Sequence, residues 1–313
     1  MTRACCIALL ILWAAAACAG PCVVSAPLLP SAPVIDGDLS DPAWRQAGVV
    51  PGFVTARQAD PEIASPLTTM RVGYTEQALY LAFECAEPNL HRLVAAPPER
   101  DYAMNKADSV SLYFDFAPQW NDERYIEIAH DCGDVYHDSY ARDHDWTGAW
   151  TCKTGRTPDA WTVEFCIPFD DVRAVLAGGD AWWLSIGRNR LAGSGQQVQS
   201  WCPSPRGVRT AQAAGRLIFG SLAGNAAAGA VALAAAIDGD LTLLRDEAAR
   251  TDDGRTALGE IETIRAQAQT WTAPADESMT PEQWQARHAE IERAQARYRD
   301  LFWTVRFAAL LEG

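Results

Sequence analysis

The chain has 313 residues, 40 of them acidic and 26 basic, for a formal net charge of −14. An acidic chain without a Lys/Arg cluster excludes a nucleic-acid partner, because phosphate recognition needs a basic face. The length allows one large β domain with an appendage, and the 12 Trp suit either a core or stacking surfaces.

Residues 1–26 read as an export signal. Arg3 precedes an apolar run over residues 7–17 that is too short to cross a bilayer. Val24-Ser25-Ala26 offers a small-residue cleavage site. Ala15-Ala16-Ala17-Cys18 is the competing lipoprotein reading, with Cys18 carrying the lipid. The expected location is therefore exported: secreted, periplasmic or lipid-anchored at the cell surface. No transmembrane span is expected in the mature chain, since the apolar stretch 226–237 has about half the length needed.

Cysteine usage agrees with export. Cys85, Cys132, Cys152, Cys166 and Cys202 fall in the folded part. Cys152 and Cys166 flank a turn near Pro158-Asp159, so they are candidates for a disulfide across a hairpin, or else for two buried thiols. No Cys/His spacing of zinc type occurs.

In chain order, residues 34–44 (VIDGDLSDPAW) read as a strand end, an Asp36-Gly37 turn, a second turn opened by Asp41-Pro42, and a plug anchored by Trp44. Strict alternation follows. Leu79, Leu81, Phe83 and Cys85 share one face, as do Val110, Leu112, Phe114 and Phe116, and then Trp161, Val163, Phe165 and Ile167. With further candidates at 70–74, 124–130, 146–153, 182–190, 197–202 and 216–219, residues 27–222 are expected to form an antiparallel two-sheet β-sandwich, jelly-roll-like. Trp146, Trp150, Trp182 and Trp183 are read as core.

Composition changes after residue 222. Residues 221–236 are rich in Ala and Gly and read as a connector. Leu258, Ile261, Ile264, Ala268 and Trp271 recur at helical spacing, and Thr280-Pro281-Glu282-Gln283 is a capping box before a second periodic run to Ala309. Residues 223–313 are thus expected to form a helical hairpin whose apolar stripes pack internally or serve helix-mediated self-association.

Six segments resemble a known family in the same order. They are the I-D-G…D-P-A-W opening; Gln77 to Phe83; Asp108 to Asp115; Tyr125 to Ile128 leading to Gly133 and Asp138; Trp161 to Pro168; and Phe219-Gly220. Over about residues 33–222 the chain is similar to the family-9 carbohydrate-binding modules. The resemblance implies a mainly β sandwich without catalysis, a glycan or polysaccharide ligand, an association with carbohydrate catabolism, and structural calcium.

It also implies a site. Trp201 resembles one wall of an aromatic sugar clamp. The other wall falls on Met104-Asn105-Lys106, so Asn105 stands where an aromatic ring is usual. The usual Glu is Ser111, and the usual Arg-x-Asn is Glu127-Ile128-Ala129. Asp115, Glu127, Arg188 and Arg190 are the substitute ligand groups, with solvated or salt-bridged surface groups as the alternative for each. Residues 130–146 hold five Asp and three His. Oxygen ligands suit calcium, and Asp131, Asp134 and Asp138 are the candidate set, with Asp36, Asp38 and Asp41 as the alternative location and a transition metal held by the His as a further reading. Competing functions are a scaffolding or adhesion domain acting through the helices, and a glycoside hydrolase using two carboxylates.

Overall fold

The computed structural model describes residues 22–99, 102–116, 120–121, 123–170, 181–272 and 279–311; residues 1–21, with most of the expected leader and Cys18, lie outside them. Its strands are β1 (Val23–Ala26), β2 (Gly48–Val50), β3 (Val54–Thr55), β4 (Thr68–Tyr74), β5 (Ala78–Ala86), β6 (Ser109–Asp115), β7 (Ile126–Asp131), β8 (Tyr136–Tyr140), β9 (Thr151–Arg156), β10 (Ala160–Pro168), β11 (Ala181–Arg190), β12 (Gln197–Ser200) and β13 (Gly215–Phe219). Three helices follow: α1 (Leu222–Ala248), α2 (Asp252–Trp271) and α3 (Pro281–Leu311).

The strands form two unclosed sheets, as the alternation predicts. One is five-stranded in the order β2-β4-β5-β10-β9. The other follows β1-β13-β11-β6-β7-β8, with β12 on β11 and β3 on β12. Val110, Leu112 and Phe114 of β6 meet Leu79, Leu81 and Phe83 of β5 and Val163 and Phe165 of β10 in one continuous core. Each strand buries alternate side chains there, the period-two geometry of a sheet packed on one face.

The opening segment is a structural plug. Trp44 is buried beneath Tyr80 and Ala82 on the outer side of the five-stranded sheet. Its Nε1 donates to Glu164 Oε1 at 2.7 Å, while the amides of Gly37 and Asp36 donate to Glu164 Oε2 at 2.6 and 3.0 Å. Gly37 has φ of 88°, and a Cβ there would stand 2.6 Å from the backbone of Gly155, so only glycine fits.

Val23–Ala26, at the end of the expected leader, forms a strand parallel to β13, with Val23 opposite Arg216 and Ala26 opposite Phe219. Three sequence expectations are corrected. Cys152 and Cys166 are free. Cys152 lies opposite Phe165 and Cys166 opposite Thr151, so alternation points the two thiols to opposite faces of one sheet. The helical hairpin is a three-helix bundle, because the Ala/Gly-rich connector is itself helical. Finally, Trp183 is not core but half-buried under the Arg216 guanidinium, 4.6 Å from its ring centre.

The bundle closes its own core from Ile237, Leu241 and Leu244 of α1, Ile261 and Ile264 of α2, and Tyr298, Leu301 and Val305 of α3. Small residues on α1 permit close approach: a Cβ at Gly229 would lie 3.2 Å from Ile291. Ser221 caps α1 through the Gly224 amide, Thr251 caps α2 through Gly254, and the Thr280/Gln283 box forms as expected, at 2.7 and 3.3 Å. The stretch Ala226–Ala248 is long and apolar enough to cross a membrane by length and composition. Within the bundle, though, its Leu233, Ile237 and Leu244 face α2 and α3. The apolar stripes assigned from the sequence are spent against one another.

Candidate functional site

The core side of β6 takes Val110, Leu112 and Phe114, so alternation sends Ser109, Ser111, Tyr113 and Asp115 to the outer face of the eight-stranded sheet. Register then sets Tyr113 beside Glu127 of β7 and Ser185 of β11, with Ser139 of β8 beyond Glu127. The next row holds Ser111, Ala129 and His137. Positions 111, 127 and 129, which the resemblance marks for ligand contact, therefore lie in two adjacent rows of one face.

A turn from the segment after β12 covers part of this face. Ser204 Oγ and Thr210 Oγ1 both donate to the Gly207 carbonyl, at 2.9 and 3.2 Å, and Ser185 Oγ donates to the Val208 carbonyl. The turn delivers Arg209. Its Nη2 donates to Glu127 Oε1 at 2.5 Å and its Nε to the Tyr113 hydroxyl at 3.2 Å, with the guanidinium 5.4 Å from the Tyr113 ring centre. Glu127 is buried, whereas the Arg209 side chain is 58% exposed. Burial opposes the Arg209 charge, but Tyr113 and Glu127 outweigh it and push its pKa up. Burial likewise raises the Tyr113 phenol, and the Glu127 charge adds to this. His137 Nε2 lies 3.9 Å from Glu127, with His144 beside it.

The same pattern recurs at the end of β6. Buried Asp115 accepts from the Asn121 amide at 2.8 Å and from Arg124 Nη2 at 3.4 Å. Asp115, Phe116, Arg124, Tyr125 and Tyr140 line a pocket of about 220 Å³. Tyr140 and Arg124 are exposed, and Trp120 stacks on Tyr125 with an interplanar angle of 13°. Tyr113 and Tyr125 meet edge to face at 5.5 Å and link the two halves. The strip is thus two guanidinium groups held by buried carboxylates and interleaved with aromatic rings.

A second depression, of about 360 Å³, opens between the edge strands β8 and β9. It is lined by His130, Asp134, Tyr136, Trp150 and Lys153 among others. Burial lowers the His130 pKa against the pull of Asp134 and Asp131.

The residues expected at the site divide. Asp115 and Glu127 come together on the outer face. Trp201 does not: it is buried in the sandwich core, its ring 2.8 Å from where a Gly215 Cβ would stand. It therefore presents no open face for stacking. Arg188 is fully buried, donating to the carbonyls of Leu67 and Ala86 and to Thr68 Oγ1 at 3.2, 2.9 and 3.1 Å. Arg190 makes a bidentate pair with buried Glu87 at 2.6 and 2.9 Å. Both arginines tie the sheets together. Asn105 is exposed in the turn before β6, its carbonyl accepting from Gln196.

The carboxylates assigned to calcium are separated and already engaged. Asp131 accepts the amides of Ala96, Gly133 and Val135 at 2.6–2.8 Å. Asp134 pairs with Lys153 and the Thr154 amide. Asp138 accepts Gly148 N and Trp150 Nε1, each at 3.0 Å. Among the described residues, no group of three His, Cys, Asp or Glu side chains is placed to hold a metal. Sequence reasoning missed Arg124, Tyr140 and Arg209. The first two lay in strand and loop runs with no motif, and Arg209 reaches the face only through a long-range turn.

No protein-family model and no curated protein sequence matches the chain. Solved structures do share its architecture. A family-9 carbohydrate-binding module from Caldicellulosiruptor kristjanssonii in complex with cellotriose is 15% identical (TM-score 0.46), the likeness covering 64% of this chain and 94% of that one. The same organism's family-9 module in complex with glucose is 16% identical (TM-score 0.45), over 64% and 96%. A Bacteroides uniformis protein to which carbohydrate binding is ascribed is 12% identical (TM-score 0.50), over 63% and 98%. The β domain has the sandwich fold of the Bacteroides uniformis protein, the fold the sequence segments point to.

Proposed function

We propose that this is an exported, non-catalytic carbohydrate-binding protein that recognises a glycan on the outer face of its eight-stranded sheet, in the service of polysaccharide catabolism. The observation that carries this reading is the strip of Asp115–Arg124 and Glu127–Arg209 pairs seated on the buried rings of Tyr113 and Tyr125, with the exposed ring of Tyr140 beside Arg124 in the pocket at the end of β6. A sugar ring offers an apolar C–H face to an aromatic ring and hydroxyls to charged donors. Guanidinium groups already fixed by buried carboxylates lose little further freedom on binding, which favours affinity. The Bacteroides uniformis protein to which carbohydrate binding is ascribed shares this architecture. Both carboxylates are engaged by arginine, which suits recognition better than the free acid and base of a glycoside hydrolase. Export is supported by the apolar run at residues 7–17.

The test is titration calorimetry against glucose, cello-oligosaccharides and a panel of other glycans. Arg124→Ala, Tyr140→Ala and Arg209→Ala are each expected to weaken binding at least tenfold with the fold intact. Unchanged affinity in all three, with loss in Tyr136→Ala, would place the site at the mouth between β8 and β9. Binding to no glycan would overturn the reading.

A further inference from the structure

The first strand of the sandwich brings a cysteine from the far end of the sequence onto a second one. The Cys22 carbonyl accepts the Arg216 amide at 2.7 Å, which sets Cys22 beside Gly215 at the start of β13. From the other side, Ser200 pairs with Gly187, and the Trp201 amide donates to Ile186, which carries Cys202 along β11 toward the same point, since Leu184 pairs with Gly215. A Cβ on Gly215 would stand 2.6 Å from the Cys22 carbonyl and 2.9 Å from Cys202 Sγ. The absent side chain is what lets both residues converge. Cys22 Sγ lies 4.0 Å from the Trp201 carbonyl, the peptide that leads into Cys202, and both residues are free thiols.

We propose that Cys22 and Cys202 form a disulfide that fastens β1 to the sandwich. The chemistry is asymmetric in a useful way. Cys202 is buried, and burial holds its thiol well above the usual range; Cys22 is half-buried, and the Cys202 contact lowers its pKa. Cys22 is therefore the attacking thiolate. It displaces one thiolate from an external disulfide, either a low-molecular-weight disulfide or a disulfide-donating oxidoreductase, and forms a mixed disulfide. Cys202 Sγ then attacks Cys22 Sγ and expels the second donor thiol. Two protein thiols are oxidised to one disulfide, and the donor disulfide is reduced to two thiols that take up the protons. Of the other described cysteines, Cys152 and Cys166 face apart, and burial raises Cys85 to about 11 and Cys132 to about 12, which keeps both as protonated thiols.

The inference is independent of the sugar site. The test equilibrates the full chain in oxidised and reduced glutathione, alkylates it after unfolding, and maps its peptides without reduction. The expected product is one cross-linked species joining the peptides of Cys22 and Cys202, with Cys85, Cys132, Cys152 and Cys166 alkylated. Reductant should lower the melting temperature of the parent by several degrees and leave that of the Cys22→Ser/Cys202→Ser variant unchanged. Separate alkylation of Cys22 and Cys202, or a Cys18–Cys22 link, would overturn the proposal. Glycan titration of the same oxidised and reduced samples reads the binding site separately.

Discussion

Arg188 separates a ligand-contacting role from a structural one most sharply. Its guanidinium is fully buried and donates to Leu67 O, Thr68 Oγ1 and Ala86 O, at 3.2, 3.1 and 2.9 Å, with Glu87 at 3.6 Å. The three acceptors belong to the five-stranded sheet or the loop entering it, so the side chain is a polar bolt through the sandwich. Each charge-assisted bond contributes about 1.5–3 kcal/mol net. Replacing the buried cation also removes its desolvation penalty of several kcal/mol. In Arg188→Met the linear stem is refilled and Arg190 still pairs with Glu87, so the net loss is about 3–5 kcal/mol. At roughly 2–4 °C per kcal/mol for a domain of this size, the melting temperature falls by about 10 °C. Circular dichroism melts and urea titrations measure the loss, and calorimetry at 15 °C, on protein still folded, measures glycan affinity, expected to be unchanged. A melting shift below about 2 °C together with weakened glycan binding would refute the structural role.

Two further predictions concern the opening plug and a buried carboxylate. Glu164 needs both oxygens as acceptors, one for Trp44 Nε1 and one for the amides of Gly37 and Asp36, and glutamine supplies only one. Glu164→Gln is expected to cost about 2–4 kcal/mol, and a double-mutant cycle with Trp44→Phe should show coupling of about 1.5–3 kcal/mol; additivity in urea midpoints would remove the Trp44–Glu164 bond from the account. Glu87 supplies a pH signature. Burial alone would raise its pKa, but the Arg190 bonds, the Asn89 amide and Arg188 outweigh it and hold the carboxyl below its ordinary value. A folded pKa lower than the unfolded one gives stability that is fully present above the unfolded value, about 4.3, and lost as pH falls through the folded one. Urea midpoints between pH 6 and 3 should therefore drop more steeply in the parent than in Glu87→Gln; parallel curves would contradict this.

Most of the sandwich was legible because period two is a strong constraint: once Val110, Leu112 and Phe114 face inward, the rest of β6 has no choice. The same parity rule was enough to correct part of the site. Trp182, Leu184 and Ile186 are core, so Arg188 and Arg190 continue the inward face of β11, and treating them as ligand groups overlooked their place in that series. Parity also separates Cys152 from Cys166, and it puts Asp115 and Glu127 outward, where they are found. What parity cannot supply is a contact between distant segments. Arg209 meets Glu127 because a turn held by Ser204 and Thr210 folds back over the sheet, and Trp44 meets Glu164 because a loop closes over the opposite sheet. The helices show the converse case. Ser221 supplies an N-cap for α1, but no Glu or Gln follows three residues later to complete a box, and residues 221–236 carry no stripe clear enough to announce the helix, since Ala and Gly give little amphipathic contrast. The small side chains instead let α3 approach closely, and α1 forms because its packing against α2 and α3 outweighs the propensity cost of its glycines.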